Sequence, residues 1–256
     1  MKKTMKSFKF LALTMGVCGA ALCAPMHDAR AEAFNPEQVK ELESLFKKFL
    51  SENPELILKS VDDFRVSEEK KTQQSAQENL ANYAEYFADN GLPIAGNPDG
   101  DVTLIEYFDY NCGYCRKAYA DVMTLLKEDK NLRVVFQEMP ILSPSSKIMA
   151  EYAMAAHEQG KYFEMHQALM DYRGGQGDEA YIKLATDLGL DIEKLKADAK
   201  SASISASIDK SSSMAKDLGI RGTPGFVIGN EIYPGYIGID SLRKAVEKAR
   251  SVQGKK

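Results

Sequence analysis

The chain has 256 residues, with 33 Lys and Arg against 37 Asp and Glu and a formal net charge of −4. That balance argues against nucleic acid or anionic lipid as the main partner. The length suffices for one large domain, or for one domain plus an extension.

The N-terminus reads as a secretory signal over residues 1–31. Lys2, Lys3, Lys6 and Lys9 form a basic n-region, Phe10 to Met26 carries no charge, and Ala29-Arg30-Ala31 is an A-x-A cleavage pattern before Glu32. The apolar part is short of the ~20 residues that a membrane span needs. The alternatives are an uncleaved anchor or a lipoprotein signal at Cys18 or Cys23. The latter is disfavoured because Val17 and Leu22 stand where a small residue is expected. Cleavage leaves 28 basic and 36 acidic side chains, net −8, and only two of the 4 cysteines, Cys112 and Cys115. The expected localisation is the periplasm.

Residues 32–91 read as an N-terminal helical region. Asn35-Pro36-Glu37 and Asn53-Pro54-Glu55 repeat one start signal, with Asn as N-cap, Pro at N1 and an acid in the first turn. The first helix aligns Val39, Leu42, Phe46, Phe49 and Leu50. The second starts apolar at Leu56, Ile57, Val61 and Phe64, is polar on every side from Ser67 to Ser75, and regains a stripe at Ala76, Leu80, Tyr83 and Phe87 before ending near Asn90-Gly91. Such a polar middle belongs to a stalk or to a solvated bridge between packed ends. The apolar start needs a partner: either the rest of the chain or a second copy.

Residues 92–253 read as the main domain. Leu92 to Gly100 is a linker, Val102 to Phe108 a strand, and Leu132 to Phe136 a second strand. Residues of about 140–218 are helical throughout. Ser143, Asp178 and Asp191 serve as caps, and Gly160, Gly189 and Gly219 as stops. Phe226 to Ile228 and Glu231 to Tyr233 flank the hairpin signal Gly229-Asn230. Asp240 caps a last helix with Leu242, Ala245, Val246 and Ala249 inward. The order is βαβ, a helical block, then ββα.

Cys112-Gly113-Tyr114-Cys115 stands at a strand-to-helix junction. The helix N-terminus favours a thiolate at Cys112, and Cys115, one turn on, lies within disulfide reach. A structural bond closing two residues would constrain the unfolded chain very little, which favours redox chemistry. Cys112 is then the exposed nucleophile, and Cys115 resolves the mixed disulfide. The alternative is half of a zinc site. Zinc wants four ligands, and beyond the pair the chain after Glu32 offers only His157 and His166, so no metal is expected. Glu106, inside an apolar strand, is either a poorly solvated carboxyl with a raised pKa or a solvated group at a sheet edge. Arg116, Lys117 and Arg221 either add positive potential near Cys112 or face solvent.

Taken with Arg221-Gly222-Thr223-Pro224 before the hairpin, these features resemble the thioredoxin fold with its cis-proline loop. The helical block resembles the inserted domain of the DsbA-type family. The whole chain after the signal, with Phe108-Asp-Tyr-Asn-Cys-Gly-Tyr-Cys115, resembles the Com1/ScsC-like branch of secreted thiol-disulfide oxidoreductases. The resemblance implies an α/β thioredoxin fold with an inserted helical domain, preceded by oligomerisation helices that make a homodimer or homotrimer through residues 35–64. It implies that Pro224 faces the sulfurs, that the Thr223 backbone pairs with substrate like a strand, and that Glu106 shuttles protons for Cys115. Gly113 and Tyr114, between the sulfurs, join the substrate-binding set. Gln137 stands where relatives carry a basic residue that would partner Glu106. The Gly-Tyr dipeptide brings no cation and resembles that of DsbC-type isomerases, which points to isomerisation; a less stabilised thiolate makes a weaker oxidant. The rival readings are a dithiol oxidase and, in another class, a chaperone-like or surface-associated binding module. The implied partners are unfolded or misfolded Cys-containing secreted proteins and a membrane redox protein. No cofactor is implied beyond the Cys112–Cys115 disulfide.

Overall fold

The structure, a computed structural model, describes residues 34–175 and 177–253. The expected signal, with Cys18 and Cys23, lies outside them. The described chain divides into two compact units between Lys59 and Ser60.

The first unit contains α1 (Pro36–Glu52) and the start of α2 (Pro54–Asn82). Asn35 caps α1 as expected: its side chain accepts from the Gln38 N–H, and Gln38 reaches back to the Asn35 N–H. Asn53 behaves differently. One residue separates the two helices, so Asn53 terminates α1 instead, donating both its backbone N–H and its side-chain amide to the Phe49 carbonyl. No residue of α1 is buried, and the stripe Val39, Leu42, Phe46 and Phe49 is exposed.

The second unit begins within α2. Ser67 to Ser75 is exposed along its whole length, and burial starts at Ala76 and Leu80. The second helix breaks at Tyr83 rather than running to Asn90, and α3 (Ala84–Ala88) carries Phe87 inward. The expected linker contains a short strand, β1 (Ile94–Gly96). Its few residues and single large apolar side chain give it no strand signature of its own. Then follow β2 (Val102–Phe108), α4 (Gly113–Glu128) and β3 (Leu132–Glu138). Five helices make the insertion: α5 (Pro144–His157), α6 (Tyr162–Asp171), α7 (Asp178–Asp187), α8 (Ile192–Ala199) and α9 (Ala202–Asp217). The chain closes with β4 (Gly225–Ile228), β5 (Glu231–Tyr233) and α10 (Ile239–Gln253).

The sheet order is β1-β3-β2-β4-β5, with β2 and β3 parallel and every other pair antiparallel. Side chains alternate across β2. Leu104 and Phe108 join the larger core, with α4, α10 and the insertion, whereas Ile105 and Tyr107 face a second cluster that contains Leu80, Phe87, Met214 and Leu218. Both faces are therefore covered, which explains why β2 and β3 read as near-continuous apolar runs. Ser143, Asp191 and Ser201 cap their helices through side-chain oxygens. Gly160, Gly189 and Gly219 end theirs with φ of 70°, 70° and 74°. Asp178 and Asp240 are the first and second residues of their helices rather than caps. Gly177 is the N-cap of α7, and α10 starts at Ile239. Leu242, Ala245 and Val246 are buried as expected, with Ala249 packed at the margin.

Candidate functional site

The loop from Asp109 to Cys112 folds because Asp109 organises it. Its carboxylate is buried and accepts from the Asn111 N–H at 2.8 Å and from the Ile141 and Leu142 N–H groups at 2.9 and 3.0 Å. Its carbonyl accepts from the Cys112 N–H. Cys112 thereby becomes the N-cap of α4, in extended conformation, with its sulfur 3.3 Å from the Cys115 N–H. On the other side, the Cys112 thiol donates to the Thr223 carbonyl at 3.3 Å. The Thr223–Pro224 bond is cis. Gly225 makes that loop possible, because a Cβ there would meet Ile220 Cγ2 at 2.4 Å.

Both cysteines are free thiols, in sharply different settings. The hydrogen bond from the Cys115 thiol does most to pull Cys112 down to about 6, against burial and with help from Thr223 and the backbone N–H groups of Cys115 and Tyr114. Burial pushes Cys115 far above the ordinary thiol range, and its hydrogen bond to Cys112 adds to this. Cys112 is less open than expected: it keeps 7 % of its surface, because the Thr223 loop lies against its sulfur, and Cys115 keeps none. An asymmetric pair of this kind can ionise at one sulfur and hold the other in reserve as a protonated thiol.

Glu106 is 1 % exposed in the central strand β2, so the solvated sheet-edge reading fails. Neither carboxyl oxygen meets a hydrogen-bond partner among the described residues. Burial first, then the charges of Cys112 and Asp121, push it up to about 8. By alternation it shares the face of Leu104 and Phe108, toward α4. Gln137 pairs with Tyr107 in register, on the opposite face, and bonds to Tyr86. It is therefore no counterpart of a partner for Glu106.

The cations divide. Arg116 is a latch, donating to the carbonyls of Tyr110, Met170 and Tyr172. Lys117 lies 5.0 Å over the Tyr114 ring, and Arg221 faces solvent. Tyr114 is 59 % exposed and stands 5.8 Å from the Tyr236 ring. A Cβ on Gly113 would meet nothing within 4 Å. His157 bonds to the Gly91 carbonyl and His166 is buried against Tyr110. Among the described residues no group of three His, Cys, Asp or Glu side chains is set to hold a metal ion.

Sequence reasoning missed Asp109, Tyr110 and Glu138. Asp109 had a local signal, an Asx turn onto the N–H two residues on. Glu138 had none, since its partners come from 24 and 28 residues away.

Comparison with known proteins agrees with this geometry. The chain is 31% identical over 163 residues to the Na(+)/H(+) antiporter NhaA 1 of Salinispora arenicola, covering 61% of this chain and 24% of that protein. It thus spans about a quarter of the length of the curated relatives it matches first. A thioredoxin-like oxidoreductase from Silicibacter pomeroyi DSS-3 superposes with a TM-score of 0.62 at 42% identity, covering 64% of this chain and 95% of the other. A linker-deletion variant of Proteus mirabilis ScsC gives a TM-score of 0.63 over 86% of this chain and 99% of its own; at 21% identity it shows the shared fold, N-terminal helices included. A family model described as DSBA-like thioredoxin domain matches residues 103–247, from β2 into α10. The chain therefore belongs to the DSBA-like thioredoxin-domain family and carries a CxxC pair at Cys112 and Cys115.

Proposed function

We propose that this protein is an exported, oligomeric thiol-disulfide oxidoreductase that isomerises wrongly paired disulfides in secreted proteins. The observation that carries the exchange chemistry is the Cys112 sulfur at the start of α4, 3.3 Å from the Cys115 N–H and held down to about 6. At neutral pH Cys112 is a thiolate. It attacks a substrate disulfide, forms a mixed disulfide and releases one substrate thiolate. Cys115 then attacks Cys112 Sγ, which closes the Cys112–Cys115 disulfide and frees the substrate reduced; alternatively, a second substrate thiolate displaces Cys112 and leaves a rearranged pair. Before Cys115 can attack it must lose a proton. Glu106, on the face of β2 toward α4, is the base that takes it in its ionised form, the minor form at neutral pH for a carboxyl raised to about 8.

Substrate is held at the 223–224 loop. The Thr223 carbonyl, occupied by the Cys112 thiol in the reduced protein, is free to accept from a substrate backbone once that proton is gone. Tyr114 and Gly113 flank the sulfur and contact the same segment.

Isomerisation is favoured over oxidation by two features. The dipeptide between the sulfurs carries no cation, and the thiolate at about 6 lies between the ~7 of thioredoxin and the ~3.5 of the strong oxidant DsbA. The apolar stripe of α1, wholly exposed in one chain, suits a second or third copy, which brings several CxxC sites to one substrate. The periplasm follows from the signal-like residues 1–31, and a membrane redox protein would restore the pair. The alternative, a dithiol oxidase, keeps the same site and differs in what it does to reduced substrates.

Trapping tests the exchange chemistry. Cys115→Ser accumulates mixed disulfides with unfolded Cys-containing proteins, and Cys112→Ser accumulates almost none. Equal trapping by both variants overturns the assignment of roles.

A further inference from the structure

Beneath the Cys112 loop lies a buried polar cluster that the exchange chemistry leaves unused. Tyr110, two residues before Cys112, is 1 % exposed. Its hydroxyl donates to Glu138 Oε1 at 3.0 Å and lies 3.0 Å from His166 Nδ1. The Tyr162 hydroxyl donates to the same Glu138 oxygen at 2.8 Å. Glu138 ends β3, while Tyr162 and His166 belong to α6, so strand, nucleophile loop and helical insertion meet at one carboxyl.

The protons in this cluster can be assigned. Burial pushes His166 down to about 3, so its ring is neutral with a single N–H. Its Nε2 has no hydrogen-bond partner among the described residues. A proton there would be an unpaired buried donor, whereas a proton on Nδ1 has the Tyr110 oxygen 3.0 Å away. The proton therefore sits on Nδ1 and is donated to the Tyr110 oxygen, which leaves the Tyr110 proton for Glu138. The main chain of Tyr110 is held as well, by Arg116 Nη2 on its carbonyl at 3.0 Å, and Arg116 directly follows Cys115.

The residue two before the nucleophile is thus fixed through both its side chain and its backbone. The contact that stabilises the Cys112 thiolate has little slack: the sulfur is 3.3 Å from the Cys115 N–H nitrogen, and on its other side 3.3 Å from the Thr223 carbonyl, which accepts from the protonated thiol. We propose that Glu138 acts through Tyr110 as a positioning residue for Cys112, coupling the helical insertion to the reactivity of that sulfur. The proposal rests on Cys112 being the attacking sulfur.

The test follows alkylation of the reduced full-length protein by iodoacetamide as a function of pH, with the modified cysteine identified by mass spectrometry. Tyr110→Phe removes one oxygen from the cluster. It is expected to raise the pH of half-maximal alkylation by about one unit, a tenfold smaller thiolate fraction below the midpoint. Glu138→Leu does the same, whereas Glu138→Gln, which keeps an acceptor of the same shape, restores the midpoint to within about twofold. A purely structural role would lower the melting temperature of these variants and leave the midpoint where it was, and that result overturns the proposal. If Glu138→Leu does not fold, Tyr110→Phe decides alone. Modification of Cys115 rather than Cys112 in the unaltered protein overturns the underlying role assignment instead.

Discussion

The Cys112 sulfur donates to the Thr223 carbonyl across 3.3 Å, joining two segments 111 residues apart in the chain. This contact ties the start of α4 to the loop ahead of β4 and leaves Cys112 with 7 % of its surface. The same carbonyl can guard the thiol in the resting protein and receive substrate once the thiol ionises.

The first prediction concerns that ionisation. The folded pKa of Cys112 lies at about 6, below the ordinary value of 9.0. The thiolate therefore contributes stability that is complete above the unfolded value and is lost as pH falls through about 6. Alkylation of the reduced protein should be half-maximal near pH 6 and confined to Cys112, since burial keeps Cys115 protonated. A midpoint near that of an ordinary thiol would remove the Cys115 thiol, and with it the N–H groups at the start of α4, as the activating device.

Glu106 has the opposite sign. Its folded pKa is raised from 4.5 to about 8, so the folded state keeps a proton that the unfolded chain releases between those values. Stability falls as pH rises through that window. Glu106→Gln should be more stable than the unaltered protein at pH 7, by of the order of 1–3 kcal/mol, and equal to it below about pH 4.5. The same variant should slow release of the mixed disulfide and spare the first attack. Stopped-flow kinetics with an unchanged resolution step would leave Glu106 only this thermodynamic role.

Asp109 anchors two loops with one carboxylate. Asp109→Ala strips acceptors from the N–H groups of Asn111, Ile141 and Leu142. The loss should be about 2–4 kcal/mol, given that hydrogen bonds to charged groups contribute ~1.5–3 each and part is recovered by water. Denaturant melts measure it, and Asp109→Asn should recover part of it.

Gly225 packs its backbone against Ile220. Gly225→Ala should cost about 1–3 kcal/mol, because the added methyl would sit 2.4 Å from a branched, buried side chain. An unchanged melting temperature would mean that the loop relaxes freely.

Much of this was legible in the sequence, for local reasons. The CxxC after an apolar run, the Gly229-Asn230 turn, the caps at Asn35, Ser143 and Asp191, and the stops at Gly160, Gly189 and Gly219 each depend on residues within one or two turns. Whatever depended on distant partners was not legible. Asn53 follows Phe49 and therefore ends α1 before it can start α2. The strand β1 is defined by its pairing with β3, some forty residues on. The face on which Gln137 lies is set by register with Tyr107, and the Glu138 cluster by the return of α6 over the sheet.

The truncation that separates isomerase from oxidase must respect this packing. Leu80 and Phe87 belong to the second core cluster, so a shortened chain should begin at Ser67, before the buried stripe of α2, and not at Leu92.

The decisive measurement is reactivation of scrambled ribonuclease, run beside oxidation of reduced ribonuclease and light scattering, on the full chain and on the chain from Ser67. The full chain should be a dimer or trimer and should reactivate scrambled enzyme. The shortened chain should be a monomer that keeps simple dithiol exchange and loses most isomerase activity. A full chain that is monomeric at micromolar concentration, oxidises reduced ribonuclease and leaves the scrambled enzyme inactive would contradict it and make the protein a dithiol oxidase.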